Sequence, residues 1–123
     1  MAKKVKNGGL LVKASSIVFT ALSLLFVQLA ALAGDGGGRI TRIYVHDAAT
    51  PVVMFSVDQH MGPPACSGHE WAFEIDTDVG KAMYSALLSA ASAGKSVEVK
   101  GTGTCSAWPD REKPYLVVVD YQK

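Results

Sequence analysis

The chain has 123 residues, 12 of them Lys or Arg and 11 Asp or Glu, a formal net charge of +1. Four of the basic residues, Lys3, Lys4, Lys6 and Lys13, lie at the very start. Without them eight basic residues face eleven acidic ones, a net charge of −3, which excludes the basic footprint of a nucleic-acid binder.

The opening segment reads as an address rather than as structure. The basic start is followed by an uncharged apolar run from Ile17 to Ala33, and Ala31-Leu32-Ala33 places small residues where a signal peptidase reads, with Gly34 next. Residues 1–33 are therefore expected to be a cleaved secretory signal peptide. An uncleaved membrane anchor is the alternative, since a spanning helix needs about 20 mostly apolar residues. Thr20, Ser23, Gln28 and the alanine-rich end favour cleavage, and no cysteine near the cut offers a lipid attachment point. Cleavage predicts a secreted or periplasmic domain of 90 residues, with no membrane association afterwards.

Residues 34–38 are nearly all glycine and are expected to form a flexible leader. From Arg39 to Asp47 a first strand is predicted, with Ile43 and Val45 on one side and Arg42, Tyr44 and His46 on the other. Ala48 to Pro51 makes a turn. Val52 to Asp58 is a second strand, with Val53, Phe55 and Val57 on one face. The two should form a hairpin. Gln59 to His69 contains Gly62-Pro63-Pro64 and is expected to be a loop. Glu70 to Asp76 is a third strand, with Trp71, Phe73 and Ile75 inward.

A helix then occupies Val79 to Ala93. Thr77 or Asp78 supplies the capping oxygen, and Asp78 puts negative charge at the positive end of the helix dipole. Met83, Leu87 and Ala90, with Val79 and Ala86 beside them, form one apolar stripe. Gly94 ends the helix in the left-handed conformation. Lys95 to Val99 alternates as a fourth strand, Gly101 to Thr104 breaks it, Ser106 to Lys113 is a polar loop, and Tyr115 to Tyr121 is the fifth strand after Pro114.

Cys66 and Cys105 are the only cysteines, 39 residues apart. An even count in an exported chain predicts a disulfide between them. Closing a loop of that length removes roughly 4 kcal/mol of unfolded-state entropy in the simple chain model.

The order strand, strand, strand, helix, strand, strand makes the fold mainly β with one helix. It is the order of an OB-like five-stranded barrel capped by its helix; a cystatin-like or other α+β sandwich is the alternative. Ala65-Cys66 shortly before Trp71-Ala72, then Leu87-Leu88 with Ala91, then Gly94 and Val97-x-Val99, resemble the OB-fold B subunits of AB5 toxins, the subtilase-cytotoxin type in particular, over residues 39–119. The start Gly38-Arg39-Ile40-x-Arg42-Ile43-Tyr44-Val45 and the turn Gly101-Thr102-Gly103-Thr104-Cys105 also resemble a group of small exported bacterial proteins of unknown function. Both resemblances imply scaffold: the toxin subunits' sugar-binding residues have no position-by-position match here. Ring assembly of such subunits is one implication, and the apolar run Leu116 to Val119 is a strand able to pair at an exposed edge.

No catalytic signature is present. Ser67, His69 and Glu70 are neighbours along an extended chain and point apart, and there is no G-x-S-x-G elbow. An alternative enzyme would use His60, His69 and Glu70 near the first cysteine. His46, His60 and His69 lack metal-ligand spacing, and Gly101-Thr102-Gly103 does not complete a phosphate loop. No cofactor or metal is expected. The remaining candidate is a binding surface. Trp108 stands in the polar loop between strands four and five, with Asp110 and Arg111 after it, while His46 and Asp47 lead into the loop between strands one and two, beside Tyr44. These are the loops with which OB-folds bind, and a flat apolar ring suits a sugar or a peptide. The expected partner is a glycan or a protein, unless Trp108 folds back as a lid over the core.

Overall fold

A computed structural model of the chain describes residues 33–62, 66 and 68–122. The signal segment, apart from Ala33, and Pro63, Pro64, Ala65 and Ser67 lie outside the described residues.

Five strands and one helix follow one another as β1 (Asp35–His46), β2 (Val52–Met61), β3 (Trp71–Glu74), α1 (Asp78–Ala93), β4 (Ser96–Gly101) and β5 (Pro114–Asp120). The strands form one sheet in the order β3-β2-β1-β4-β5, with every neighbouring pair antiparallel. Two strands run longer than the sequence expectation: β2 continues through Gln59 and His60 to Met61, where the sequence predicts a loop, and β1 begins at Asp35. The glycines are no leader, because Asp35 to Gly37 pair with Met61 to Gln59 on one side and with Lys100 to Glu98 on the other. Lacking side chains, they let neighbours come close: a Cβ on Gly36 would meet the Trp71 ring at 3.1 Å.

The register of β1 with β2 shifts twice between Gly37 and Arg42. Gly38 sits there at φ +97°, and the Arg39 N–H donates to Asp58 Oδ2 at 2.7 Å. Such bulges bend a strand and increase its twist. The first half of β1 accordingly pairs with both β2 and β4, while its second half, Ile43 to His46, pairs with β2 alone.

The sheet does not close into a barrel. Between its edges, β3 and β5, there is one isolated parallel bridge, from Trp71 to Glu112 in the segment before β5, where the Ala72 N–H donates to the Glu112 carbonyl at 3.1 Å. β3 is four residues long, and Pro114, at the start of β5, has no N–H to extend the ladder.

The helix follows its local signals. The Gly80 N–H donates to Thr77 Oγ1 at 3.0 Å, and Gly94 closes the last turn at φ 64°, ψ 30°. Leu87 and Ala90 are buried against the sheet, with Met83 and Tyr84 packed beside them. Val79, expected on that stripe, is 66% exposed. Gly80 takes its place: a Cβ there would meet the Glu74 carbonyl oxygen at 1.9 Å, so the first turn lies against the end of β3 more closely than a side chain permits.

Under the helix the core consists of Val53, Phe55, Val57, Trp71, Phe73, Leu87, Ala90, Val97 and Val99. Val45, on the same side of β1 as Ile43, is exposed near the end of the strand. The opposite face of β2 and β3 carries a second buried cluster, Val52, Met54 and Ala72, covered by Tyr44, Ala107 and Trp108. Val52 to Phe55 is thus buried on both faces, as an unbroken apolar strand should be.

Candidate functional site

The second face is where the sequence-predicted residues gather. Tyr44 and His46 alternate onto the same side of β1. Trp108 comes to them from the segment between β4 and β5, its ring centroid 4.7 Å from that of His46, which in turn lies 5.6 Å from Tyr44. Trp108 is partly buried against Val52, Met54 and Ala72. The ring is both lid and surface: part of it covers the small apolar cluster and the remainder meets solvent beside exposed His46.

Three constraints hold this loop in place. Cys66 and Cys105 are bonded, with Cα atoms 5.6 Å apart, a separation that suits a disulfide. The Gly68 N–H donates to the Asp110 carbonyl at 2.8 Å. A short turn closes from the Arg111 N–H to the Trp108 carbonyl at 3.3 Å. The segments before β3 and before β5 are therefore tied into one rim.

Glu70 organises the polar half of the face. Its carboxylate accepts from the Tyr44 hydroxyl and lies 3.5 Å from Arg111 Nε and 3.6 Å from an Arg42 guanidinium nitrogen. Arg111 also pairs with its neighbour Asp110. Burial first, then the Glu70 carboxylate, pushes the Tyr44 hydroxyl above its ordinary range. Burial alone would weaken the charge on Arg111, but Asp110 and Glu70 outweigh it and hold the guanidinium more firmly protonated. Both groups stay in their donor forms across physiological pH. The face thus offers an aromatic platform next to fixed donors and acceptors.

Of the expected site residues, Tyr44, His46, Trp108, Asp110 and Arg111 come together, and Asp47 sits exposed at the end of β1. Glu70 and Arg42 belong to the same cluster and were not among them. Arg42 carried a signal in parity, since it shares the side of β1 with Tyr44 and His46; Glu70 is placed by Ala72, two residues on, which the structure buries on this same face. His60 lies elsewhere, its ring 4.4 Å from the buried Trp71, and His69 is exposed. Among the described residues no cluster of three or more His, Cys, Asp or Glu side chains is arranged to hold a metal ion, and no helix is long and apolar enough to cross a membrane. The disulfide is compatible with an extracellular location.

No family model matches the chain, and no curated protein or solved structure is significantly similar to it.

Proposed function

We propose that this protein is a small exported, disulfide-stapled binding module with an OB-like scaffold, which recognises a glycan or protein partner through the β1–β2 and β4–β5 loops. The reading favours a glycan. The observation that carries it is the partly exposed Trp108 beside His46, flanked by the Tyr44–Glu70–Arg111–Asp110 network. A flat ring stacks on the apolar face of a sugar, and neighbouring charged groups hydrogen-bond its hydroxyls. Pre-organisation supports the same reading: a rim fixed by a disulfide loses little freedom on binding. The OB-like scaffold is supported by the element order and by a bent β1 shared between β2 and β4.

The test is a glycan array and a pulldown with purified protein, alongside Trp108→Ala and Arg111→Ala. The expected outcome is a ligand whose binding falls at least about 10-fold in Trp108→Ala, the scale of one lost stacking or anchor contact. Binding unchanged in both variants removes this face as the site.

A second reading, assembly, rests on a different observation. β5 is an edge strand with Tyr115 61%, Leu116 41% and Val118 42% exposed, and Tyr121 beyond it is 58% exposed. An apolar edge of this kind is a template for pairing with another chain. Light scattering at high concentration separates the readings, since a clean monomer rejects a ring.

A further inference from the structure

The side chain least explained by the binding face is Glu112. It is 0% exposed, although charged residues are almost never fully buried unless paired. Its Oε1 accepts two neutral backbone N–H groups, from Gly34 at 2.7 Å and from Gly103 at 2.8 Å. Its Oε2 is buried with no hydrogen-bond partner. An uncompensated buried carboxylate oxygen is costly. The cradle around it is built of glycine: a Cβ on Gly34 would meet Oε2 at 2.0 Å, and one on Gly101 would meet Oε1 at 1.9 Å. Both oxygens therefore face Gly34. Gly34 is itself buried and anchored, its carbonyl accepting the Gly101 N–H at 2.9 Å, while Ala33 before it is exposed.

Gly34 is also the residue that follows the small-residue cleavage pattern Ala31-Leu32-Ala33. We propose that processing between Ala33 and Gly34 creates the missing partner: the new α-ammonium of Gly34 seats on the buried Glu112 carboxylate and locks the mature fold. A signal-peptidase-type protease adds water across the peptide bond. The hydroxyl goes to the Ala33 carbonyl carbon and a hydrogen to the Gly34 nitrogen, and the proton released by the new Ala33 carboxyl is balanced by one taken up by the amine. One N–H donor becomes three, and a neutral amide becomes a cation. That supplies Oε2 with a hydrogen bond and the carboxylate with a counter-charge, in a space where only glycine fits. The uncleaved chain holds Glu112 with two neutral amides alone, so its fold is weaker than that of its product. The inference shares with the binding-module reading the removal of the leader and the β4–β5 segment, but it concerns the buried Glu112 carboxylate and not the Trp108 ring.

The test begins with the full-length chain expressed with its leader in a bacterial host. Intact mass and N-terminal sequencing of the exported product are expected to give a start at Gly34; a start at any other residue overturns the proposal. The product is then compared with a chain that begins one residue earlier, at Ala33. The extra residue is expected to lower the melting temperature by about 5 °C or more, and Glu112→Gln to abolish most of that difference. Equal melting temperatures for the two starts overturn the proposal. A readout inside the wild-type chain guards against a Glu112→Gln variant that does not fold. An α-ammonium held by Glu112 should react with an acylating reagent near neutral pH about 10-fold more slowly than the α-amine of the Ala33 start, whose ordinary pKa is about 7.7–8.0. Equal reactivity means that the terminus is not seated on Glu112. Glycan binding is measured on the wild-type Gly34 start, with Trp108→Ala beside it and Glu112 intact, so the two readings fail separately.

Discussion

The sheet is covered on its two faces by different means. Below it lies α1, whose Leu87 and Ala90 press on Val53, Phe55, Phe73, Val97 and Val99. Above it no helix lies among the described residues. Val52, Met54 and Ala72 are roofed by Tyr44, Ala107 and Trp108, and the roof is tied down by one disulfide and one backbone hydrogen bond between loops. The first face is stabilised by burying large apolar side chains, about 25 cal/mol for each Å² removed from water. The second buries little, and a covalent link does what area does on the other side. A small domain roofed in this way on one face leaves the roofing side chains partly exposed.

The largest effect should come from the helix-covered face. Phe55 is fully buried and meets Phe73 edge to face at 6.0 Å between centroids. Phe55→Ala is expected to destabilise by about 4 kcal/mol, measured by urea unfolding. A cost under about 1 kcal/mol would mean that the two faces do not differ as described.

Next comes reduction of Cys66–Cys105, expected to lower stability by about 3 kcal/mol. The two tryptophans report where. Trp71 is fully buried in the helix-side core, and Trp108 belongs to the loop roof. At denaturant levels below the main transition, reduction should make Trp108 fluorescence more accessible to a quencher while Trp71 remains shielded. Simultaneous exposure of both would show that the roof is no separate unit.

Trp108→Ala should cost less, about 1–2 kcal/mol, because the ring is only partly buried and its loss leaves a gap open to water rather than a sealed cavity. The disulfide should still form in this variant. Failure to oxidise would mean that Trp108 places the loop, and not the reverse.

The smallest effect concerns an ion pair at the end of β3. Glu74 lies 2.8 Å from Lys113 Nζ. Burial tends to raise its carboxyl, but the hydrogen bond and charge of Lys113 outweigh burial and hold it below the ordinary value. A depressed carboxylate pKa contributes stability that is present above the unfolded-state value and is lost as pH falls through the folded one. Stability should therefore decline on acidification below about pH 4.5, by under about 1 kcal/mol for a partly exposed pair. Lys113→Gln should flatten that part of the pH profile.

How much of this was legible in the chain depended on distance along it. Thr77, Gly94 and the Leu87–Ala90 stripe form the helix through partners three to seven residues away, and the helix was readable to within a residue. Trp71 and Phe73 alternate, and β3 followed. The cysteine pair was readable because only one pairing exists. What escaped was set by contacts across the sheet. The glycines after Gly34 resemble a tether until their neighbours are known: Trp71 beside Gly36, and Glu112 beside Gly34, 78 residues away. The barrel expected from the element order stops at a single bridge because β3 is short and Pro114 lacks a donor. In the binding face, the aromatic and charged loop residues announced themselves by type. Glu70, which joins Tyr44, Arg42 and Arg111, did not, since nothing in its own neighbourhood of sequence says what it will meet.

The bent first strand has a consequence for time as well as for shape. β1 is the central strand of the sheet, yet one of its two neighbours, β4, is reached only after more than half of the described domain has been spelled out: Asp35 pairs with Lys100 and Arg39 with Ser96. Chains dominated by such distant pairings fold slowly, in milliseconds to seconds rather than microseconds. A ribosome adds residues at about 5–20 per second. Several seconds must therefore pass between the appearance of β1 and that of the strand that completes it. Throughout that interval the hairpin of β1 and β2 stands with an open edge, and a two-stranded ribbon alone is marginal in water. The nascent protein is consequently a threadable polymer for most of its synthesis, and becomes a rigid object only near the end.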